Sequence, residues 1–406
     1  MTTATTYRTL LRTPGAAAFF APTAAGRVGI AMTSLSIVWL VRDATGSYAT
    51  AGLVTGAFAV ADALAGPQAG RLIDRYGQRR VLPPAVLAHA AAVATLVLSA
   101  AGHAPGWLLA AAGALVGATL PQLSAVAQAR WSALLDGPRR SSLPAAYALE
   151  SLSNSVAYLI GPALVSTIAA AGRPVVGTLA AAALVVAGGG VLALQRRTTP
   201  PVVPRDARRP HHRRALLRPG FLLLIGVNAT IGGFFGTMSI AVTALAVERD
   251  RPGLAAVLFA ASNGTGLLAV VLYGLRPWRP HPRRQLAAAG ALLGVGSLPL
   301  LAAAHLPAVT AGVLLTALAV PVVLVLGAVL ADAVVTRGVL TEAFAWLGSA
   351  SAAGSALAAT VAGLAVDSRG AGGGLLVAVA AACATAACTL AGLRALRPPP
   401  GPVPEP

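Results

Sequence analysis

Three charged residues, Arg27, Asp62 and Glu150, lie inside long segments that are otherwise almost entirely apolar. A charge left at the centre of a lipid bilayer costs ~2.5–3.5 kcal/mol, so such residues need a partner or a wet cavity. Each lies about ten residues from one end of its apolar segment, or ~15 Å along a helix. Arg27 can therefore pair with either carboxylate, and the sequence leaves that choice open.

Two kinds of chemistry are open to these charges. Burial favours the neutral form of a carboxyl group and a neighbouring arginine favours the ionised form, so a motion that separates the two changes the proton affinity. The other interpretation is a permanent structural ion pair. Further polar residues within apolar segments could line the same cavity or form hydrogen bonds between helices, and these are Asn154, Asn228 and Asn263.

The composition is that of a membrane protein. Of the 406 residues, 56% are hydrophobic and 10% are charged, and the mean hydropathy is +0.76. A membrane-spanning helix needs ~20 residues with few or no charges. The charge-free stretches from Arg80 to Arg130 and from Arg284 to Asp332 each hold two such spans, and the other gaps bring the total to twelve. We therefore expect an all-α membrane protein with twelve transmembrane helices.

The net charge of +18 is unevenly distributed. When successive loops are assigned to alternate sides, most of the 30 basic residues, with Arg130 among them, fall in loops on one side. The positive-inside rule makes that side cytoplasmic and places both termini there. Nucleic-acid binding would need a basic surface interleaved with aromatic residues, which the sequence lacks. We expect a multi-pass protein of the inner (cytoplasmic) membrane whose surroundings are the lipid bilayer.

A basic, proline-rich segment divides the chain into two halves. Residues 196–219 are predicted to be a cytoplasmic linker between six-helix bundles at 1–195 and 220–396. Residues 397–406 are predicted to be a disordered cytoplasmic tail.

The two halves show weak self-similarity, which is common in transporter folds. A shift of 201 residues places Arg27 on Asn228 and Asp62 on Asn263. A shift of 193 residues places the segment that begins at Gly161 on the one that begins at Gly354. The polar matches are the stronger evidence for a repeat, because polar residues inside spans are scarce.

A dense polar turn over residues 70–80 separates the second and third predicted spans. Its glycine, acidic and arginine residues follow a fixed order along the chain: Gly70, Asp74, Arg75, Gly77, Arg79 and Arg80. This order resembles the signature loop between the second and third helices of the major facilitator superfamily, and in particular its bacterial, efflux-like members.

The resemblance implies two six-helix bundles around a central cavity that opens alternately to the two sides of the membrane. It also implies that Asp74 latches the halves together, with the start of the eleventh span near Thr341 and Glu342 as its partner. Gly70 and Gly77 would permit close helix approach and a tight turn. The arginines of the loop would brace it or would only anchor the topology.

These features favour a secondary transporter that moves a small molecule, with protons as the coupling ion and a monomeric state. Proton-coupled export of a lipophilic compound or metabolite by antiport is the preferred function, and import or facilitated diffusion of a neutral nutrient is the alternative. A polytopic membrane enzyme is less favoured because the sequence lacks a His-Glu-x-x-His motif and clustered carboxylates. No metal or cofactor is expected.

Overall fold

The computed structural model describes residues 7–201, 216–251, 253–276, 278 and 280–395. Residues 202–215 of the predicted linker and the whole of the predicted tail, 397–406, lie outside the described residues. Within the described residues the regular secondary structure is entirely helical.

The helices follow one another with short connections. The first eight are α1 (Tyr7–Arg12), α2 (Ala16–Thr45), α3 (Tyr48–Tyr76), α4 (Gln78–Ala101), α5 (Gly106–Ala118), α6 (Leu123–Leu134), α7 (Leu143–Ala170) and α8 (Pro174–Leu194). The remaining five are α9 (Pro219–Glu248), α10 (Gly253–Leu275), α11 (Pro282–Ser297), α12 (Leu306–Val334) and α13 (Leu340–Ala395).

Eleven helical segments in the described part of the chain are long and apolar enough to cross a membrane. The last of them covers Arg337–Leu393, and its 57 residues are well over twice the ~20 that one crossing needs. Its backbone is non-helical at Gly370, where φ is 65° and ψ is −166°, so α13 consists of two helices. Counted this way the described residues contain twelve spans, and the predicted all-α membrane fold is confirmed.

The turn between the second and third spans is shorter than the sequence suggests. We expected a polar hinge over residues 70–80, but α3 continues to Tyr76 and α4 begins at Gln78. Gly77 alone reverses the chain, with a φ of 87° that residues with a Cβ rarely adopt. Most of the signature residues therefore project from helix ends, where their positions are fixed.

The fourth span is broken in the middle. Its first part, α5, ends at Ala118, and its second part, α6, begins at Leu123. Pro121 has no backbone N–H to donate to a helix, which favours an interruption at this point. Non-helical backbone at such depth is tolerated where it is buried in protein or lines a cavity.

The chain forms two compact units. Unit 1 contains Met1–Arg208, Val270–Pro277 and Gly338–Ala353, and unit 2 contains Arg209–Ala269, Trp278–Arg337 and Gly354–Pro406. The end of α10 and the start of α13 thus pack with the first half of the chain. The predicted division into bundles at 1–195 and 220–396 stays a prediction.

Equivalent glycines make the same kind of contact in both halves of the sequence. In unit 1, a Cβ added at Gly161 would lie 3.1 Å from the carbonyl oxygen of Val28. In unit 2, a Cβ at Gly354 would collide with the carbonyl oxygen of Ala229. The shift of 201 residues relates Val28 to Ala229, and the shift of 193 relates Gly161 to Gly354. The repeat seen in the sequence therefore extends to helix packing.

Candidate functional site

The structure pairs Arg27 with Glu150. The Nη2 group of Arg27, in α2, donates to Oε2 of Glu150, in α7. Both side chains are only 2% exposed. The choice between two carboxylates that the sequence left open is thus decided in favour of Glu150. A pair buried this deeply leaves an uncompensated charge when either partner is removed.

Two residues of α6 complete this network. The hydroxyl oxygen of Ser124 accepts from Arg27 Nε at 3.1 Å, and the indole Nε1 of Trp131 donates to Glu150 Oε1 at 2.6 Å. Trp131 is fully buried and packs edge-on against Phe19, with ring centroids 4.9 Å apart. Each carboxylate oxygen of Glu150 therefore has a donor, and the side chain is held on both sides.

Two buried polar atoms beside the pair lack a partner among the described residues. They are Nη1 of Arg27 and Oγ of Ser153. Ser153 lies one helical turn after Glu150 in α7, so it projects from the same face of that helix. An unmade hydrogen bond of this kind costs ~1–3 kcal/mol, and so calls for a water molecule or a ligand group.

Asp62 lies apart from Arg27 and has a different partner. Its Oδ1 accepts from Nε2 of Gln122 at 3.3 Å. Asp62 is half-buried, and within the described residues the structure gives it no ion pair. It is therefore a carboxylate within a span whose charge is not compensated by a neighbouring cation.

The break in the fourth span connects these two networks. Gln122, which contacts Asp62, lies in the non-helical segment, and Ser124, which contacts Arg27, is the second residue of α6. Discontinuous helices are typical of substrate and ion sites in transporters. We did not predict this break from the sequence, although Pro121 in the middle of an apolar span was a signal for it.

The three asparagines differ in their exposure. Asn154 is exposed on α7 and Asn263 is exposed on α10. Asn228 is 8% exposed, and its Nδ2 donates to the carbonyl oxygen of Leu224 in its own helix at 2.9 Å. A role for them in a substrate pathway stays a prediction.

Asp74 caps the first turn of α13. Its Oδ1 accepts from the backbone N–H of Thr341 at 3.2 Å, and its Oδ2 accepts from that of Glu342 at 2.8 Å. One turn earlier, a Cβ at Gly70 would lie 2.8 Å from the Cα of Glu342, so only glycine permits this approach. The expected contact is present, and its function as a latch stays a prediction.

The arginines of the signature segment differ in their surroundings. The guanidinium of Arg75 lies 5.1 Å from the centre of the Tyr76 ring. Arg79 and Arg80 are exposed in the first turn of α4. Exposure of this kind is expected of residues that anchor the topology. A bracing role for Arg79 and Arg80 stays a prediction.

Arg130 is a buried residue that we expected in a loop, and that expectation is wrong. It lies in α6 and is fully buried. Its Nε donates to Gln78 Oε1 at 2.8 Å, its Nη2 to the carbonyl oxygen of Leu192 at 2.8 Å, and its Nη1 to Gln195 Oε1 at 2.5 Å. The helix continues past the charge because these acceptors, at the start of α4 and the end of α8, satisfy the guanidinium.

The short helix α1 makes a contact that the sequence did not predict. The hydroxyl group of Tyr7 donates to the carbonyl oxygen of Val270, near the end of α10, at 3.0 Å. The aromatic ring fits over Gly274, where a Cβ would collide with it. Burial raises the pKa of Tyr7 to about 12.

A family profile matches most of the chain. The profile described as Major Facilitator Superfamily matches residues 19–331, a region that contains both charge networks and the Gly77 turn. The chain belongs to the major facilitator superfamily. Members of this superfamily are transporters, so the chain is a multi-pass membrane transporter and not an enzyme.

Solved structures of superfamily transporters share the fold. A bacterial homologue of the iron transporter ferroportin has a TM-score of 0.75 at 12% identity, covering 93% of this chain and 98% of its own. The E. coli fucose:proton symporter FucP has a TM-score of 0.70 at 14% identity, with coverages of 92% and 99%. The human organic anion transporter MFSD10 has a TM-score of 0.67 at 15% identity, with coverages of 92% and 98%.

A search of curated proteins finds no match to this chain. The solved structures are too distant in sequence to transfer a substrate, and they show the fold alone. The assignment of substrate and coupling therefore depends on the residues of the site itself.

Proposed function

We propose that the protein exports a small, fairly lipophilic molecule from the cell by antiport with protons. It works as a monomer in the inner membrane, with both termini in the cytoplasm. Alternating access of the two halves carries the molecule across, as in other secondary transporters of this superfamily.

The observation that carries this proposal is the uncompensated carboxylate of Asp62 beside the broken fourth span. An ionisable residue within a span that lacks a counter-charge is costly, and such residues mark ion and substrate pathways. Glu150 is less suited to proton exchange, because Arg27 and Trp131 hold both of its oxygens. Asp62 is therefore the proton carrier, and the Arg27–Glu150 pair keeps the surrounding helices in place.

A latch formed by Asp74 is the second part of the proposal. The carboxylate holds the start of α13 through two backbone N–H groups, and an anion near a helix N terminus is favourable. Release of this contact would accompany opening of the central cavity on the cytoplasmic side.

The experiment uses everted membrane vesicles that contain the protein. Compounds to which an expressing strain becomes resistant are added while a fluorescent dye reports the pH gradient. We expect these compounds to dissipate the gradient with the wild type and not with Asp62→Asn, while Ser36→Ala, which removes a local hydrogen bond in α2, serves as a control.

Two results would contradict the proposal. Equal pH-driven flux by Asp62→Asn and the wild type would exclude Asp62 as the proton carrier. Flux out of everted vesicles, rather than into them, would instead favour import of a nutrient.

A further inference from the structure

Three groups of unused hydrogen-bond donors lie in the Arg27–Glu150 network or one helical turn from it. The first is Nη1 of Arg27, which carries two N–H groups and has no acceptor within the described residues although the side chain is 98% buried. The second is the hydroxyl group of Ser153, which also lacks a partner within those residues. The third is the N terminus of α6.

The N terminus of α6 is uncapped. Its N-cap residue, Gln122, makes no side-chain capping hydrogen bond within the described structure, because its amide is directed to Asp62 and to the carbonyl oxygen of Leu120. The N–H groups of Ser124 and Ala125 lie in the first turn, where a helix offers no acceptor of its own. The Nε group of Arg27 is bonded to the Ser124 hydroxyl, so the guanidinium lies at this terminus.

These groups share one chemical preference. All of them can donate. Glu150 balances the charge of Arg27, so the attraction for an anion comes from these unused donors and from the helix dipole, roughly +0.5 of a charge at the N terminus. Each oxygen of Glu150 already accepts one hydrogen bond, so fewer acceptor positions than unused donors remain at the pair. Helix N termini with an adjacent arginine suit carboxylates and related oxyanions. Ser124 is half-buried, which leaves the location open on one side.

We propose that Arg27 Nη1, the first turn of α6 and the Ser153 hydroxyl form a subsite for a carboxylate or similar oxyanion on the transported molecule. This inference rests on the proposed function and specifies its substrate class, a lipophilic acid. Arg27 uses Nη2 for Glu150 and Nη1 for the ligand, so both interactions fit on one guanidinium. An inside-negative membrane potential would then drive outward movement of the anion and inward movement of protons alike.

The test measures binding by the purified full-length protein in detergent, without any proton gradient. The probes are 2-naphthoate, its amide and 2-naphthylmethylammonium, which share an aromatic body and differ in the polar group. Binding to the folded state raises the thermal midpoint with ligand concentration. We expect naphthoate to bind at least 10-fold more tightly than the amide, and the ammonium compound to have no effect.

Two variants locate the subsite. Ser124→Ala removes the hydroxyl that orients Arg27 and should weaken naphthoate binding about 3- to 10-fold, or ~0.6–1.4 kcal/mol, the loss expected for one hydrogen bond. Arg27→Gln combined with Glu150→Gln removes both charges together, so that neither is left alone, and should abolish the preference for naphthoate over the amide. Ser36→Ala is the matched control and should bind as the wild type does.

Equal shifts with all three probes, or naphthoate binding that is unchanged in both variants, would overturn the subsite and indicate that only water satisfies these donors. The result separates this inference from the proposed function. Selective naphthoate binding together with pH-driven flux that survives in Asp62→Asn would support the subsite and reject the proton carrier. If Asp62→Asn loses pH-driven flux but the wild type binds naphthoate no better than the amide, the proton carrier is supported and the subsite is rejected.

Discussion

The two halves of the sequence share a packing contact and differ in their chemistry. Gly161 approaches the backbone at Val28 in unit 1, and Gly354 approaches the backbone at Ala229 in unit 2. Arg27 directly precedes Val28 in the first half, and Asn228 directly precedes Ala229 in the second. The same framework thus carries a buried charge in one half and an amide in the other.

The partner of the charge differs in the same way. The shift of 193 residues that relates the two glycines places Glu150 on Ala343, which is fully buried. Within the described part of the chain Asn228 bonds to no carboxylate, and its Nδ2 donates to the carbonyl oxygen of Leu224 in its own helix. Close approach of two helices requires only a glycine at the contact, so both halves can have it independently of their other residues. A buried charge requires a second residue of opposite charge. A half of the chain therefore has both charged residues or neither of them.

The largest effect should come from breaking the ion pair. Glu150→Gln leaves Arg27 buried without compensation, and we expect it to lower the free energy of unfolding by ~3–5 kcal/mol. Arg27→Gln combined with Glu150→Gln should recover a large part of this loss. Asn228→Leu, at the related position of the second half, should have a much smaller effect. Thermal unfolding in detergent measures all three, and equal losses for Glu150→Gln and Asn228→Leu would contradict the comparison.

The next largest effect should come from the contact that the halves share. Gly161→Ala and Gly354→Ala each place a Cβ against a helix backbone, and overpacking of this kind costs ~1–3 kcal/mol. The cost should be larger at Gly354, where the added carbon would collide with Ala229. Gly190→Ala is the control, because a Cβ there meets nothing within 4 Å. A thermal midpoint that falls as far for Gly190→Ala as for the other two would show that the contact is unimportant.

The smallest effect on stability should come from the helix caps, one in each unit. Asp74 caps the start of α13 at Thr341. Glu248 caps the second of the two helices in α13, where the N–H of Ala371 donates to Glu248 Oε1 at 2.5 Å. Loss of a cap costs ~0.5–2 kcal/mol at a site such as that of Asp74. We expect Asp74→Asn to insert normally and to transport several-fold more slowly, and Glu248→Gln to keep its transport rate. Transport at the normal rate in Asp74→Asn would exclude the latch.

Much of the fold follows from the sequence. The charge-free gaps predict the spans, including the break beside Arg369 that the structure places at Gly370. The order of residues in the signature segment, through its resemblance to the superfamily, also indicates the contact between Asp74 and the start of α13. The spans follow from local composition and the Asp74 contact from a short motif. Neither prediction requires knowing which face of each helix is turned toward its neighbours.

Other parts of the site do not follow from the sequence. The fourth span continues through Arg130 because acceptors from α4 and α8 converge on it, and no local pattern reports that convergence. The directions of the Gln122 and Ser124 side chains beside this break likewise depend on neighbours far along the chain.

The sequence by itself determined that this chain crosses the membrane repeatedly as helices, since lipid accepts only long apolar segments whose backbone bonds are satisfied internally. It also determined which few charges are placed within those segments. The tertiary structure decided that Arg27 pairs with Glu150 and leaves Asp62 to Gln122. The reason is that residues 123 positions apart meet only through the rotation and packing of their helices, which the local sequence does not specify.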